Sequence, residues 1–407
     1  MKRLHPHFFA VCWTLCVAVP APVIAQDKLD YEDRLLEQAA LVLAGNWQTA
    51  ESGLSSLLAD FPISRVGHLL RADLLAALAG ANHRPANISS AAAKHKTAAL
   101  LEQLRVRWQH RQQYAANQGA RFPARLLVAA NSTPVVVYLD LPASRLYVFG
   151  NQDGQLRQLA DFYATIGRKG FGKEREGDLK TPVGVYRITS YIPGRRLDAR
   201  YGPGALTTDY PNALDQTLSR TGSGIWLHGT EPGWVNRAPR ASEGCVTLSD
   251  IDFNRLYQLT GGVGTHVPVI IDDKPEWILP NELLDRRRTA RNIVQNWHHS
   301  WLQGDIKALA RYYNTSTPIP QNIPSSTQAT WLGDRTEIFG YPGQGETLLA
   351  RIVMDQSAGT SLELEQYWQR TATGRWQIVA ERQSLTRDQR QIAASTTLAD
   401  PQPDSGT

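Results

Sequence analysis

The apolar periodicity of this chain changes twice along its length, and each change narrows the folds open to it. Up to about residue 116, apolar residues recur at helical spacing. Leu35, Leu36, Ala39, Val42 and Leu43 form one face, Trp47, Ala50, Leu54, Leu57 and Leu58 a second, and Val66, Leu69, Leu70, Leu74, Leu75 and Leu78 a third. Gly45, Pro62 and Gly80 punctuate these runs, and the spacing predicts a fourth helix over Ala91 to Tyr114. From Val135 the pattern shifts to short β-rich runs. Val135 to Leu139 and Arg145 to Phe149 flank the turn Asp140 to Ser144 and read as a hairpin. Phe162 to Gly167, Val183 to Ile188, Gly224 to Leu227 and Val267 to Ile271 continue the β pattern. Beyond Pro275 and Pro280 helical spacing returns over Leu283 to Gln303, and Gly304-Asp305 opens a short helix from Ile306 to Tyr313. Leu362 to Glu365 and Arg375 to Ala380 then read as strands around the turn Thr371 to Gly374. The fold class that accommodates all three regimes is multidomain α+β. It comprises a helical module over 27–116, a mostly-β domain over 134–272 and an α+β domain over 281–384.

The ends are of a different kind. Met1-Lys2-Arg3 is a basic start, Phe8 to Val19 a compact apolar stretch, and Val23-Ile24-Ala25 a small-residue cleavage site, so residues 1–25 read as a secretory signal peptide. Pro20 and Pro22 interrupt the apolar stretch, which falls short of the roughly 20 residues of a spanning helix. A periplasmic location after cleavage is the expectation. Residues 388–407 are polar, close on Pro-Gln-Pro-Asp-Ser-Gly-Thr and read as a disordered tail. The net charge of +5 falls to +3 once Lys2 and Arg3 leave with the signal. The basic residues are scattered, so nucleic acid is not implied. No Cys, His, Asp or Glu cluster has metal-ligand spacing, and neither a metal nor a cofactor is expected. Oligomeric state is not legible.

Of the three cysteines, Cys12 and Cys16 depart with the signal, and Cys245 remains as a lone thiol without a disulfide partner. Its surroundings are specific: Ile225-Trp226-Leu227-His228-Gly229-Thr230, then Ser242-Glu243-Gly244-Cys245-Val246-Thr247-Leu248. A histidine ending one apolar stretch and a cysteine opening the next suit a thiol nucleophile with an imidazole base. This layout resembles the L,D-transpeptidase (YkuD) catalytic domain, whose members share His-Gly, a spacer of about this length and Ser/Thr-x-Gly-Cys. Ile166-Gly167 with Gly177-Asp178-Leu179-Lys180-Thr181-Pro182-Val183-Gly184-Val185-Tyr186 resembles a second family segment. Gly45 to Pro62 looks like a single tetratricopeptide-type helix pair, and the C-terminal run of helices and strands resembles the NTF2-like (SnoaL-like) cone.

The resemblance implies a cysteine enzyme acting on peptidoglycan stem peptides. Cys245 would be the nucleophile, His228 the base and then the acid, and the Gly229 carbonyl the group that orients the imidazole. The N–H groups of Gly244 and Cys245 would hold the oxyanion. Arg240 and Arg237 are candidates for substrate carboxylates, and Ser242 either touches substrate or shapes the turn by bonding backbone. Two positions depart from the family pattern. Glu243 stands where many members carry histidine, and Thr247 where they carry arginine or asparagine. Glu243 is expected to turn outward or pair with Arg240 or Arg237, since a nearby carboxylate disfavours a thiolate. Trp226 is expected in the core. The activity implied is transfer of the acyl group to another stem. The alternatives are L,D-carboxypeptidase trimming, as in cell-shape enzymes with the same three-part layout, action on a wall-lipoprotein link, and a catalytically silent wall-binding protein.

Overall fold

The computed structural model describes residues 31–81, 90–117, 121–235, 237–261, 267–314, 317, 329–331, 333–356 and 360–387. The signal segment and the polar C-terminal tail lie outside the described residues.

Four helices come first: α1 (Tyr31–Leu43), α2 (Trp47–Asp60), α3 (Arg65–Leu78) and α4 (Ala91–Asn117). Their apolar faces meet in a core of Leu35, Ala50, Leu54, Leu57, Val66 and Leu74. Ser64 caps α3 by accepting the Gly67 N–H, which satisfies one of the amides a helix start leaves open. The fourth helix runs three residues beyond the predicted Tyr114.

The central part begins with β1 (Phe122–Pro123), β2 (Val135–Asp140), β3 (Arg145–Gln152), β4 (Gln155–Tyr163), β5 (Ile166–Gly167), β6 (Gly184–Pro193) and β7 (Gly204–Thr208). It continues with α5 (Ala213–Thr217), β8 (Trp226–His228), β9 (Arg240–Ser242), β10 (Val246–Thr247), α6 (Asp250–Leu259), β11 (Pro268–Asp272) and β12 (Trp277–Ile278). Val135 to Leu139 does pair antiparallel with Arg145 to Phe149. Phe162 to Gly167, however, is two strands, broken between Tyr163 and Ile166. Eight strands form one sheet in the order β10-β8-β7-β6-β11-β2-β3-β4. The sheet curls until its two ends meet: Thr165, just past β4, and Thr247, in β10, exchange two backbone hydrogen bonds of 2.9 Å each.

The alternating side chains of this sheet serve two cores, as a strand buried on both faces requires. Val137, Leu139, Ile188, Val269 and Ile271 face Phe253 and Leu256 of α6. Val136, Tyr138, Val185 and Ile270 face Phe339, Tyr341, Leu349 and Tyr367.

That second group lies in the C-terminal part: α7 (Pro280–Leu302), α8 (Ile306–Leu309), β13 (Ala329–Trp331), β14 (Glu337–Tyr341), β15 (Thr347–Gln356), β16 (Thr360–Arg370) and β17 (Trp376–Arg387). The sheet runs β13-β15-β16-β17 with β14 also paired to β15. Val294, Trp297 and Trp301 of α7 pack on its other face against Ile352, Leu364 and Trp368. Among the described residues no helix is long and apolar enough to cross a membrane.

Candidate active site

The site forms at the seam where the curled sheet meets itself. β8 and β10 pair parallel with Leu227 opposite Val246 and His228 opposite Thr247. His228 and Trp226 therefore point to one side of β8, and Cys245 and Thr247 are likewise spaced by two along the facing segment. Two glycines make the geometry possible. Gly244 sits at φ 126°, and a Cβ there would lie 2.8 Å from the Lys180 carbonyl. A Cβ on Gly229 would lie 2.5 Å from Pro203 Cδ.

The His228 ring is almost fully buried and held from two sides. Its Nδ1 lies 2.6 Å from the Gly229 carbonyl, which can only accept, so Nδ1 carries the proton and Nε2 is bare. The Thr247 hydroxyl lies 3.3 Å from Nε2. The Tyr201 ring meets the imidazole edge-on at 4.9 Å and the Trp226 ring at 5.4 Å. Trp226 is thus half-buried against Tyr201 beside His228, not in the core as its apolar neighbours suggested. Burial pushes His228 down to about 4, against the upward pull of its bond to Gly229; Arg237 and Arg200 add to the depression and Glu231 opposes it.

Cys245 is half-buried. Its Sγ lies 3.3 Å from the Gly224 carbonyl and receives the Trp226 N–H at 3.4 Å. Burial raises the thiol above its usual value and the Glu243 charge adds to this; the Trp226 N–H, Lys173 and Arg237 act the other way. The site therefore rests as neutral thiol and neutral imidazole near pH 7.

The turn before the nucleophile is tied down by hydroxyls. Ser242 Oγ donates to the Cys245 carbonyl at 2.6 Å and accepts the Gly244 N–H at 3.2 Å. Ser242 thus follows the turn-shaping alternative. The bond also commits one of the two N–H groups assigned to an oxyanion, so such a site would rely on the Cys245 amide. Thr181 Oγ1 donates to the Gly244 carbonyl at 3.0 Å and accepts the Gly167 N–H at 2.9 Å, which links the second family-like segment to the nucleophile.

The charged candidates separate. Arg237 is engaged with Glu231 at 2.8 Å, with the Thr230 hydroxyl and with the Arg200 carbonyl. Arg240 is exposed on β9, within electrostatic reach of Glu102 on α4. Glu243 pairs with neither of them. Its partner is Arg168 at 3.5 Å, with side chains 69% and 53% exposed, because β5 and β9 run side by side and bring the 168 loop over the nucleophile turn.

Sequence reasoning missed Lys173 and Arg168. Lys173 is buried, donating to the Arg175 carbonyl at 2.9 Å and to Asp178 at 3.0 Å. Burial alone would raise Asp178, but the Glu174, Arg175 and Lys180 amides and Lys173 together hold it near 2.

A buried imidazole clamped by a carbonyl, near a thiol at the edge of a curled sheet, is an arrangement that suits a thiol nucleophile with an imidazole base. Residues 134–271 match the YkuD family, the L,D-transpeptidase catalytic domain. No curated protein sequence matches the chain. Among solved structures it is similar to Bd1075 of Bdellovibrio bacteriovorus, with TM-score 0.55 and 22% identity over 65% of this chain and 99% of that one. It is also similar to the helical cell shape determining protein Pgp2 of Campylobacter jejuni, with TM-score 0.53 and 21% identity over 67% of this chain and 98% of that one. At such identities the likeness is one of fold.

Proposed function

We propose that this protein is an exported, periplasmic cysteine enzyme of peptidoglycan, acting on tetrapeptide stems as an L,D-transpeptidase. The observation that carries the reading is the His228–Gly229 clamp at 2.6 Å beside Cys245, within the segment that matches the L,D-transpeptidase domain. Cys245 attacks the carbonyl on the L-centre of the third residue while its proton passes to His228 Nε2. A thioester forms, and the imidazolium returns the proton to the departing D-Ala amine. Because neither group is charged at rest, proton transfer accompanies attack instead of preceding it. An incoming amine of another stem then resolves the thioester as a 3–3 cross-link. The oxyanion draws on the Cys245 amide.

Water as the acceptor, giving an L,D-carboxypeptidase, is the second reading. It is favoured by the likeness in fold to a cell-shape determining protein over nearly that protein's whole length. Action on a wall-linked lipoprotein would use the same thioester. The C-terminal part, with long α7, short α8 and an antiparallel sheet, is read as an NTF2-like cone. Incubation with purified disaccharide-tetrapeptide, read by mass spectrometry, separates the outcomes. A dimer lacking D-Ala means transfer, a tripeptide means trimming, and unchanged substrate refutes both.

A further inference from the structure

Cys245 directly precedes β10, with its sulfur at the Trp226 amide two residues before His228 on β8, and the two side chains have different partners in the resting site. With its proton on Nδ1, His228 can only accept at Nε2, and the group placed to donate there is the Thr247 hydroxyl at 3.3 Å. The thiol directs its own hydrogen elsewhere, to the Gly224 carbonyl, and its sulfur is held by the Trp226 amide. Thr247 is not free to drift. It is buried, lies in register with His228, and both its backbone groups are bonded to Thr165 across the seam. Its hydroxyl is therefore a fixed feature at the one nitrogen through which the base must act.

We infer that Thr247 is a positioning residue that caps the His228 base at rest and keeps the dyad disengaged until substrate turns the Cys245 sulfur toward Nε2. The inference rests on the reading of His228 as the base. On attack the S–H proton moves to Nε2 as the S–C bond forms, and the Thr247 hydroxyl can then accept from the new Nε2–H, so the ring stays in place in both states. The groups facing the imidazole are Glu231, Arg237 and Arg200, and those facing the thiol are Glu243, Lys173 and Arg237. None of them supplies a hydrogen bond to Nε2. A lone exported thiol gains from such a cap, since a protonated, parked sulfur resists oxidation that a standing thiolate would invite.

The test is alkylation by iodoacetamide without any wall substrate, so its failure is distinct from failure of the peptidoglycan reading. Thr247→Val keeps the shape, removes the hydroxyl and frees Nε2 for the thiol. Losing one neutral hydrogen bond predicts a rate about three- to tenfold above wild type at neutral pH, with Thr247→Ser restoring the wild-type rate. A folded Val variant that reacts at or below the wild-type rate overturns the inference. A measurement without Thr247 variants guards against misfolding. The His228 Nε2 nitrogen resonance should be bare and unchanged on Cys245→Ala, since the thiol is not its resting partner. A large shift on that substitution also overturns it.

Discussion

At the scale of single residues, activity would depend on the protons held by two side chains, His228 and Cys245. With His228 held near 4, it stays an unprotonated base through the range where an ordinary histidine would gain its proton. The acid limb of kcat/KM should therefore fall near pH 4, not near 6.5, because activity is lost only once the base itself is protonated. A limb near 6.5 would mean that the burial acting on this ring is relieved in solution. His228→Ala should lower acylation by about 10²–10⁴-fold, with kcat moving more than KM. An unchanged rate would assign activation of the thiol to another group. Glu243 raises the thiol, so Glu243→Gln should speed alkylation; the carboxylate is exposed and paired with Arg168, so the gain should be small, about twofold to threefold. Replacing Arg168 by Gln should act the other way, slowing alkylation by leaving Glu243 unpaired.

At the scale of elements, the helices and the central hairpin were legible because each is specified by its own periodicity. The faces through Leu54 and Leu74 are helical and buried, and Val135 to Leu139 pairs as its alternation and turn suggest. The His-Gly and Gly-Cys stretches were legible as a candidate site because thiol–imidazole chemistry requires those residue types, and they do come together at the β8–β10 pairing. What was not legible depends on how distant loops meet. The Thr165–Thr247 seam and the choice of Arg168 for Glu243 each join segments with no shared local pattern. Trp226 misled because an apolar stretch does not say which of its side chains stays partly exposed. One further long-range contact bears on activity. Arg65 at the start of α3 lies 4.1 Å over the Trp234 ring, and Val235 packs on the helical core, so the module grips the loop that leads from His228 to Cys245. Trp234→Ala removes about 0.5–2 kcal/mol of cation–π attraction. It should speed amide exchange in 229–235 while leaving the global melting transition in place; unchanged exchange would show that other contacts, such as Thr230 with Asp250 and Arg237 with Glu231, hold the loop.

At the scale of the whole molecule, buried ion pairs join the three parts. Glu32 of α1 lies 2.8 Å from Arg145 of β3 and 3.0 Å from Arg107 of α4. Burial opposes its charge, but the two guanidinium groups prevail and hold Glu32 near 2, down from 4.5. This carboxylate thus contributes stability above about pH 4.5 that is lost as pH falls toward 2, a contribution of about 3 kcal/mol. Acid titration should release the helical module over that window, and the step should vanish in Glu32→Gln. On the same face of the sheet, around Arg187 of β6, buried Arg351 meets Glu365 at 3.0 Å and Glu337 at 3.6 Å, while Arg187 reaches Glu363 at 2.7 Å. Arg351→Ala leaves Glu365 with Arg382 and Tyr367 and Glu337 with Arg187 and Thr133, so in denaturant melts it should cost less than the about 3–5 kcal/mol of a fully uncompensated buried charge. The direct test of the account is to quench the enzyme in acid during turnover of disaccharide-tetrapeptide and map the adduct by mass. The account predicts a hydroxylamine-sensitive acyl group, the stem without its terminal D-Ala, on the peptide that contains Cys245. Turnover that persists in Cys245→Ala, or an acyl group on any other residue, would contradict it.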